Sequence, residues 1–168
     1  RALALEPDLV VLEARTLASS GRADAAIALV DGVSRKAPAD LGLALALAEL
    51  LSNAGRPQDA RAVLSRVQPF ASGARARANV YQTEANLWAQ EERWGRALDA
   101  LQTASRIEPG RADLHYRLAE VYERMGSLHS ALDEVRKGRL LDSPDGAKSR
   151  DPWVARLESS MSSLQPGP

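Results

Sequence analysis

The chain has no cysteine, one phenylalanine and only 4% aromatic residues among its 168 positions. Without cysteine there can be no disulfide framework, thiolate metal site or cysteine nucleophile, and the redox compartment is left open. Neither sign of charge is in excess, with 22 Lys and Arg against 22 Asp and Glu. Phosphate-binding surfaces usually carry a basic excess or stripe, so nucleic acid is not an expected ligand. No run approaches the roughly 18 apolar residues of a membrane span, and no charged-then-apolar leader opens the chain. Direct membrane insertion is therefore not expected, and a soluble protein of cytoplasm or periplasm is. Enzyme motifs are missing as well: there is no glycine-rich phosphate loop, no His-Glu-x2-His and no Gly-x-Ser-x-Gly. The sequence accordingly predicts no catalytic residue, no cofactor and no metal. Lysine is scarce beside arginine, 3 against 19, a bias that hints at a GC-rich bacterial gene.

What the chain has is alanine and leucine in register. Ala26, Ala60, Ala97 and Ala131 recur at spacings of 34, 37 and 34, each followed four positions later by Val30, Leu64, Leu101 or Val135. A second set, Ala14, Ala48, Ala85 and Ala119, lies twelve residues upstream of each. Two helices that cross closely need a residue without bulk on each side, with larger neighbours filling the space around it. Leu17, Leu51, Trp88 and Tyr122 supply that bulk.

This pattern resembles the tetratricopeptide repeat family, whose motif runs Trp-x2-Leu-Gly-x2-Tyr, Ala-x3-Phe and Pro. Residues 111–144 match best, through His115, Leu118, Ala119, Tyr122, Gly126, Ala131, Val135 and Pro144, one place past the family's proline. The preceding repeat, 73–110, carries Tyr81, Ala85, Trp88, Ala97, Leu101, Ala104 and Pro109, with Glu92 where a turn glycine would stand. Repeats at 8–38 and 39–72 follow the same register, and residues 1–7 read as the end of an upstream repeat cut short, as in a piece of a larger protein. The resemblance implies an all-α fold, a right-handed α-solenoid of antiparallel helix pairs.

Within that register the predicted pairs are 8–20 with 23–36, 39–53 with 57–67, 73–91 with 94–107, and 111–125 with 128–141. Pro57 suits a first helical turn, where its missing N–H costs nothing. Leu41 to Ala48 alternates as a strand would, but alanine and leucine favour helix and the register demands one. The longer spacing between the second and third repeats falls at Gln68-Pro-Phe-Ala-Ser-Gly, where the helix should stop at proline. A longer inner helix then follows, with Arg75 and Arg77 in an added turn, and Phe70 is expected to plug the seam. Asp151-Pro152 opens a last helix, 151–164, whose Val154, Leu157 and Met161 share one face while its other positions are polar, as suits a solenoid cap or the start of a fifth repeat. Trp153 is expected to anchor its edge, and 165–168 to form a tail.

Few residues look chemical. His115 takes a position that packs a repeat, so it reads as a partly buried structural histidine, and Trp88 and Trp94 read as core. Glu120 and Glu123 share a helical face, but Arg124 beside them suggests a salt-bridged surface rather than an acid and base pair.

The resemblance instead directs attention to the concave face, where the family commonly receives an extended peptide or partner helix. Its inner-helix positions here include Leu45 and Glu49, then Asn79, Gln82, Asn86 and Gln90, then Tyr116, Glu120, Glu123 and Arg124. Asn79, Gln82 and Asn86 form a stripe of amides suited to an extended peptide backbone, and Tyr116 offers a flat contact surface. The subclass that clamps a chaperone carboxylate uses groove lysines; here only Asn86 matches, Gln82 replaces a lysine, and that docking is not expected. The expected function is a non-catalytic interaction module or scaffold with a protein or peptide partner. The alternatives are a spacer in an envelope exopolysaccharide-export machine, or a regulatory array attached to a kinase or glycosyltransferase. Self-association through exposed Leu3 and Leu5 is a further expectation.

Overall fold

In a computed structural model, residues 6–164 are described, and every regular element among them is helical. The order is α1 (Pro7–Ser19), α2 (Ala23–Ser34), α3 (Leu41–Asn53), α4 (Pro57–Val67), a 3-10 turn (Gln68–Phe70), α5 (Ala74–Gln90), α6 (Trp94–Ile107), α7 (Ala112–Arg124), α8 (Leu128–Leu141), α9 (Pro144–Lys148) and α10 (Asp151–Leu164). The all-α class is as expected, and eight helices coincide with the predicted pairs to within about two residues at either end. The short α9 was not anticipated. Leu3 and Leu5 lie outside the described residues, as does the tail.

Local chemistry explains where the helices start and stop. Pro7 and Pro57 occupy first turns, and the Asp40 carboxylate accepts from Leu43 N at 2.9 Å to cap α3. Leu41 to Ala48 is helical, not extended. Four turns share one device. The carbonyls of Leu17, Leu51, Trp88 and Tyr122 accept from the backbone N–H of Arg22, Arg56, Arg93 and Ser127 at 2.9, 2.8, 2.8 and 2.9 Å. Such a bond closes a helix through a left-handed residue. Gly21, Gly55 and Gly126 fill that place with φ of 80°, 73° and 76°, and Glu92 adopts it at 57° without being glycine.

The chain forms two compact units, residues 1–87 and 88–168. In the first, α1 pairs with α2 and α3 with α4. One core holds Val10, Ala14, Ala26, Val30, Leu43, Leu47, Ala48, Ala60, Leu64 and Val67, joined by Val80 and Leu87 of α5. In the second, α7 pairs with α8 while α10 packs on α8, burying Ala119, Ala131, Leu132, Val135 and Leu157. All eight register alanines are at most 1% exposed, which is what close helix crossings require.

One packing expectation is corrected. Phe70 does not plug a seam: it sits in the 3-10 turn with 51% of its surface exposed. The early stop at Pro69 turns the chain before the ring can reach the core, and Ala71 is buried next to it instead. Leu9 and Leu12, one turn apart on α1, are also exposed. The last helix fares as expected, with Leu157 buried and Val154 and Met161 packed around it.

Candidate partner-binding surfaces

In the first unit the candidate positions lie on α3 and α5. Leu45 is half-buried at the margin of the core and Glu49 is exposed. Asn79, Gln82 and Asn86 fall at i, i+3 and i+7 of α5, which puts them on one face, and all three are half-buried. Their neighbours Ala78, Val80, Thr83, Ala85 and Leu87 are buried, so the helix is anchored and the amides border its accessible side. Asn79 and Gln82 already take part in polar interactions within the protein. A primary amide offers two donors and two acceptor lone pairs, so one internal bond does not exhaust it.

The candidates of the second unit are placed differently from one another. Gln90 is exposed at the end of α5. Tyr116, expected as a flat contact surface, is 6% exposed. Its hydroxyl donates to Asp142 Oδ2 at 2.9 Å, the Arg150 guanidinium lies 4.5 Å from its ring centroid, and the Trp153 ring is 6.4 Å away. Burial, and then the hydrogen bond to Asp142, hold the phenol pKa above its ordinary value. These three residues come from the end of α8 onward, Asp142 and Arg150 from the stretch between α8 and α10 and Trp153 from α10 itself, 26 or more positions along the chain.

Glu123 is engaged by α10. It accepts from Trp153 Nε1 at 2.8 Å and pairs with Arg156 at 2.6 Å, so the edge anchor expected of Trp153 is a specific bond. Glu120 remains exposed and pairs with Arg117 at 3.0 Å. Arg124 is not the partner of either carboxylate; its guanidinium lies 5.9 Å from the Trp94 ring. Trp88 likewise carries the Arg96 and Arg93 guanidinium groups at 4.8 and 5.7 Å. Both tryptophans are half-buried, with cations over their faces, rather than fully enclosed.

His115 is held as a structural residue. Its Nδ1 is 2.7 Å from Glu134 Oε2 and its Nε2 is 3.3 Å from the Pro109 carbonyl. Among the described residues no group of three or more His, Cys, Asp or Glu could hold a metal ion, and no helix is long and apolar enough to cross a membrane. Sequence reasoning missed Asp142, Arg150 and Arg156; Trp153, at the edge of the apolar face of the last helix, was the one signal that its neighbours are engaged.

The tetratricopeptide repeat family model matches residues 6–79 and 89–147. The chain belongs to the tetratricopeptide repeat family. Membership assigns it the architecture of a protein–protein interaction module. Solved structures of the same fold include MamA AMB-1, 18% identical, covering 88% of this chain and 82% of that one with a TM-score of 0.63. MamA from residue 41 to its end from Desulfovibrio magneticus RS-1 is 15% identical over 95% of this chain and 97% of that one, with a TM-score of 0.61. MamA MSR-1 is 22% identical over 84% and 80%, with a TM-score of 0.59. At these identities the likeness is one of fold. A comparison with curated protein sequences gives no match.

Proposed function

We propose that this tetratricopeptide repeat chain is a non-catalytic adaptor or scaffold that receives an extended peptide or helix of a partner protein on its inner-helix faces. The observation that carries this reading is the amide stripe Asn79, Gln82 and Asn86, one face of α5 held half-open beside a buried one. Amides can both donate to and accept from a peptide backbone, so they suit an extended ligand with little demand on its side chains. Leu45 and Glu49 add an apolar and an acidic contact on α3 of the same unit. On α7 the accessible positions are Glu120 and Arg124, while Tyr116 and Glu123 serve the attachment of the last helix.

The test is affinity capture from source-cell lysate with the wild-type chain and an Asn79→Ala, Gln82→Ala, Asn86→Ala variant whose helicity and melting temperature match it. Retention of a protein by the wild type alone supports a recognition face on α5. Equal retention, or none by either, defeats that reading and leaves a spacer within an envelope assembly, or a regulatory array on an enzyme, as the better account.

A further inference from the structure

A cleft lies in the second unit, lined by none of the candidate inner-helix residues. It is lined by Gln102, Ser105 and Arg106 of α6, His115 and Leu118 of α7, and Glu134 and Lys137 of α8, with a volume of about 410 Å³. On α7, at 100° per residue, Leu118 points to the side of the helix opposite Tyr116, Glu120 and Glu123, and His115 lies between the two sides. Leu118, 4% exposed, is its apolar lining residue, and Gln102 Nε2 donates to the Tyr122 hydroxyl at 3.2 Å.

Spare hydrogen-bond donors line this cleft. Glu134 is its only carboxylate, and both oxygens are engaged, Oε2 by His115 Nδ1 and Oε1 by Lys137 Nζ, each at 2.7 Å. Lys137 therefore keeps two of its three donors. Arg106 is steadied on its own helix by bonds of Nε to the Gln102 carbonyl at 3.4 Å and of Nη2 to Thr103 Oγ1 at 3.1 Å. Its Nη1 has no partner among the described residues, nor has the Ser105 hydroxyl. Two cations thus face one compensated carboxylate.

We propose that this cleft binds an oxyanion, the carboxylate of an acidic side chain or a phosphate group, carried on a peptide of a partner protein. Arg106 and Lys137 would bracket the anion from α6 and α8, as charge-assisted donors to oxygen, and Ser105 would supply a neutral O–H. The cleft shares no residue with the amide stripe of α5.

The test is a nitrogen-15 NMR titration of the full chain with inorganic phosphate and with acetate, at constant ionic strength maintained with chloride. Saturable shifts at Ser105, Arg106, His115 and Lys137 are expected. An Arg106→Gln, Lys137→Gln variant should lose at least about tenfold in affinity, the scale of one charge-assisted bond. A response to phosphate alone identifies a phosphoryl ligand, and a comparable response to acetate identifies a carboxylate. Arg106→Gln by itself, at an exposed position outside the core, keeps the question decidable should loss of the Lys137 bond to Glu134 impair folding; a several-fold weakening is then expected. Shifts that never saturate, or that persist unchanged in Arg106→Gln, overturn the proposal.

Discussion

A Cβ added to Gly138 would stand 2.6 Å from Cε1 of Tyr116, so the α7–α8 pair closes by matching the largest side chain at one position with the absence of one at the other. The same places in the alanine register hold Val11 and Val33, or Leu45 and Val67, in the earlier pairs. Tyr116 has little room to withdraw, because Asp142 holds its hydroxyl and Arg150 covers its face.

Gly138→Ala is therefore expected to destabilise the chain by about 1–3 kcal/mol, the usual cost of overpacking. Tyr116→Leu should remove the obstacle, so the double variant should be more stable than the two single losses sum to, by at least about 1 kcal/mol. Denaturant unfolding of the four proteins measures this coupling, and strict additivity would show that the two residues do not constrain each other.

Tyr116 also predicts an alkaline weakness. Its phenol pKa is raised in the fold, first by burial and then by Asp142, above a reference value of 10.0. The folded state thus favours the protonated phenol. The corresponding stability is present in full below pH 10 and is lost as pH rises from there through the folded-state value. Denaturant midpoints measured from pH 8 upward should fall more steeply above pH 10 for the wild type than for Tyr116→Phe. Parallel profiles would contradict the assignment.

Glu92 stands at φ 57° where three sister turns use glycine. A side chain in that region costs roughly 1–2 kcal/mol, of which glycine's larger unfolded-state entropy returns about 0.5–1. Glu92→Gly should consequently raise stability by up to about 1 kcal/mol, whereas Gly126→Ala should lower it by about the same. A melting temperature that falls in both variants would refute this account of the turns.

Ala97 and Ala131 are fully buried. Leucine at either should cost about 1–3 kcal/mol, while Asn86→Ala, on the half-open face of α5, should stay within about 0.5 kcal/mol. Chemical denaturation distinguishes the two classes, and equal losses would mean that the helical register is misassigned.

How far the residues alone carried these assignments depends on the range of the forces involved. Eight helices, their breaks at Pro57 and Pro69, and the small positions at their crossings follow from propensity, proline geometry and spacing, all of which act within a few tens of residues and repeat four times. Glu92 was recognisable as a misfit in a turn, because the register marked the place where glycine belongs. The same register placed Tyr116 and Glu123 on the accessible side of their helix. It had no means to register that a later segment would cover them.

That covering was decided by tertiary structure. Asp142, Arg150, Trp153 and Arg156 reach Tyr116 and Glu123 across 26 to 37 positions of sequence, through single hydrogen bonds and ring contacts that occur once and so leave no periodic trace. The cleft of Arg106, His115 and Lys137 is likewise assembled from three helices, and only their packing brings its donors to one place. Sequence determined the helices and their repeating contacts, because those are local and redundant. Tertiary packing determined which polar side chains remain open to a partner, because that depends on what else folds over each of them.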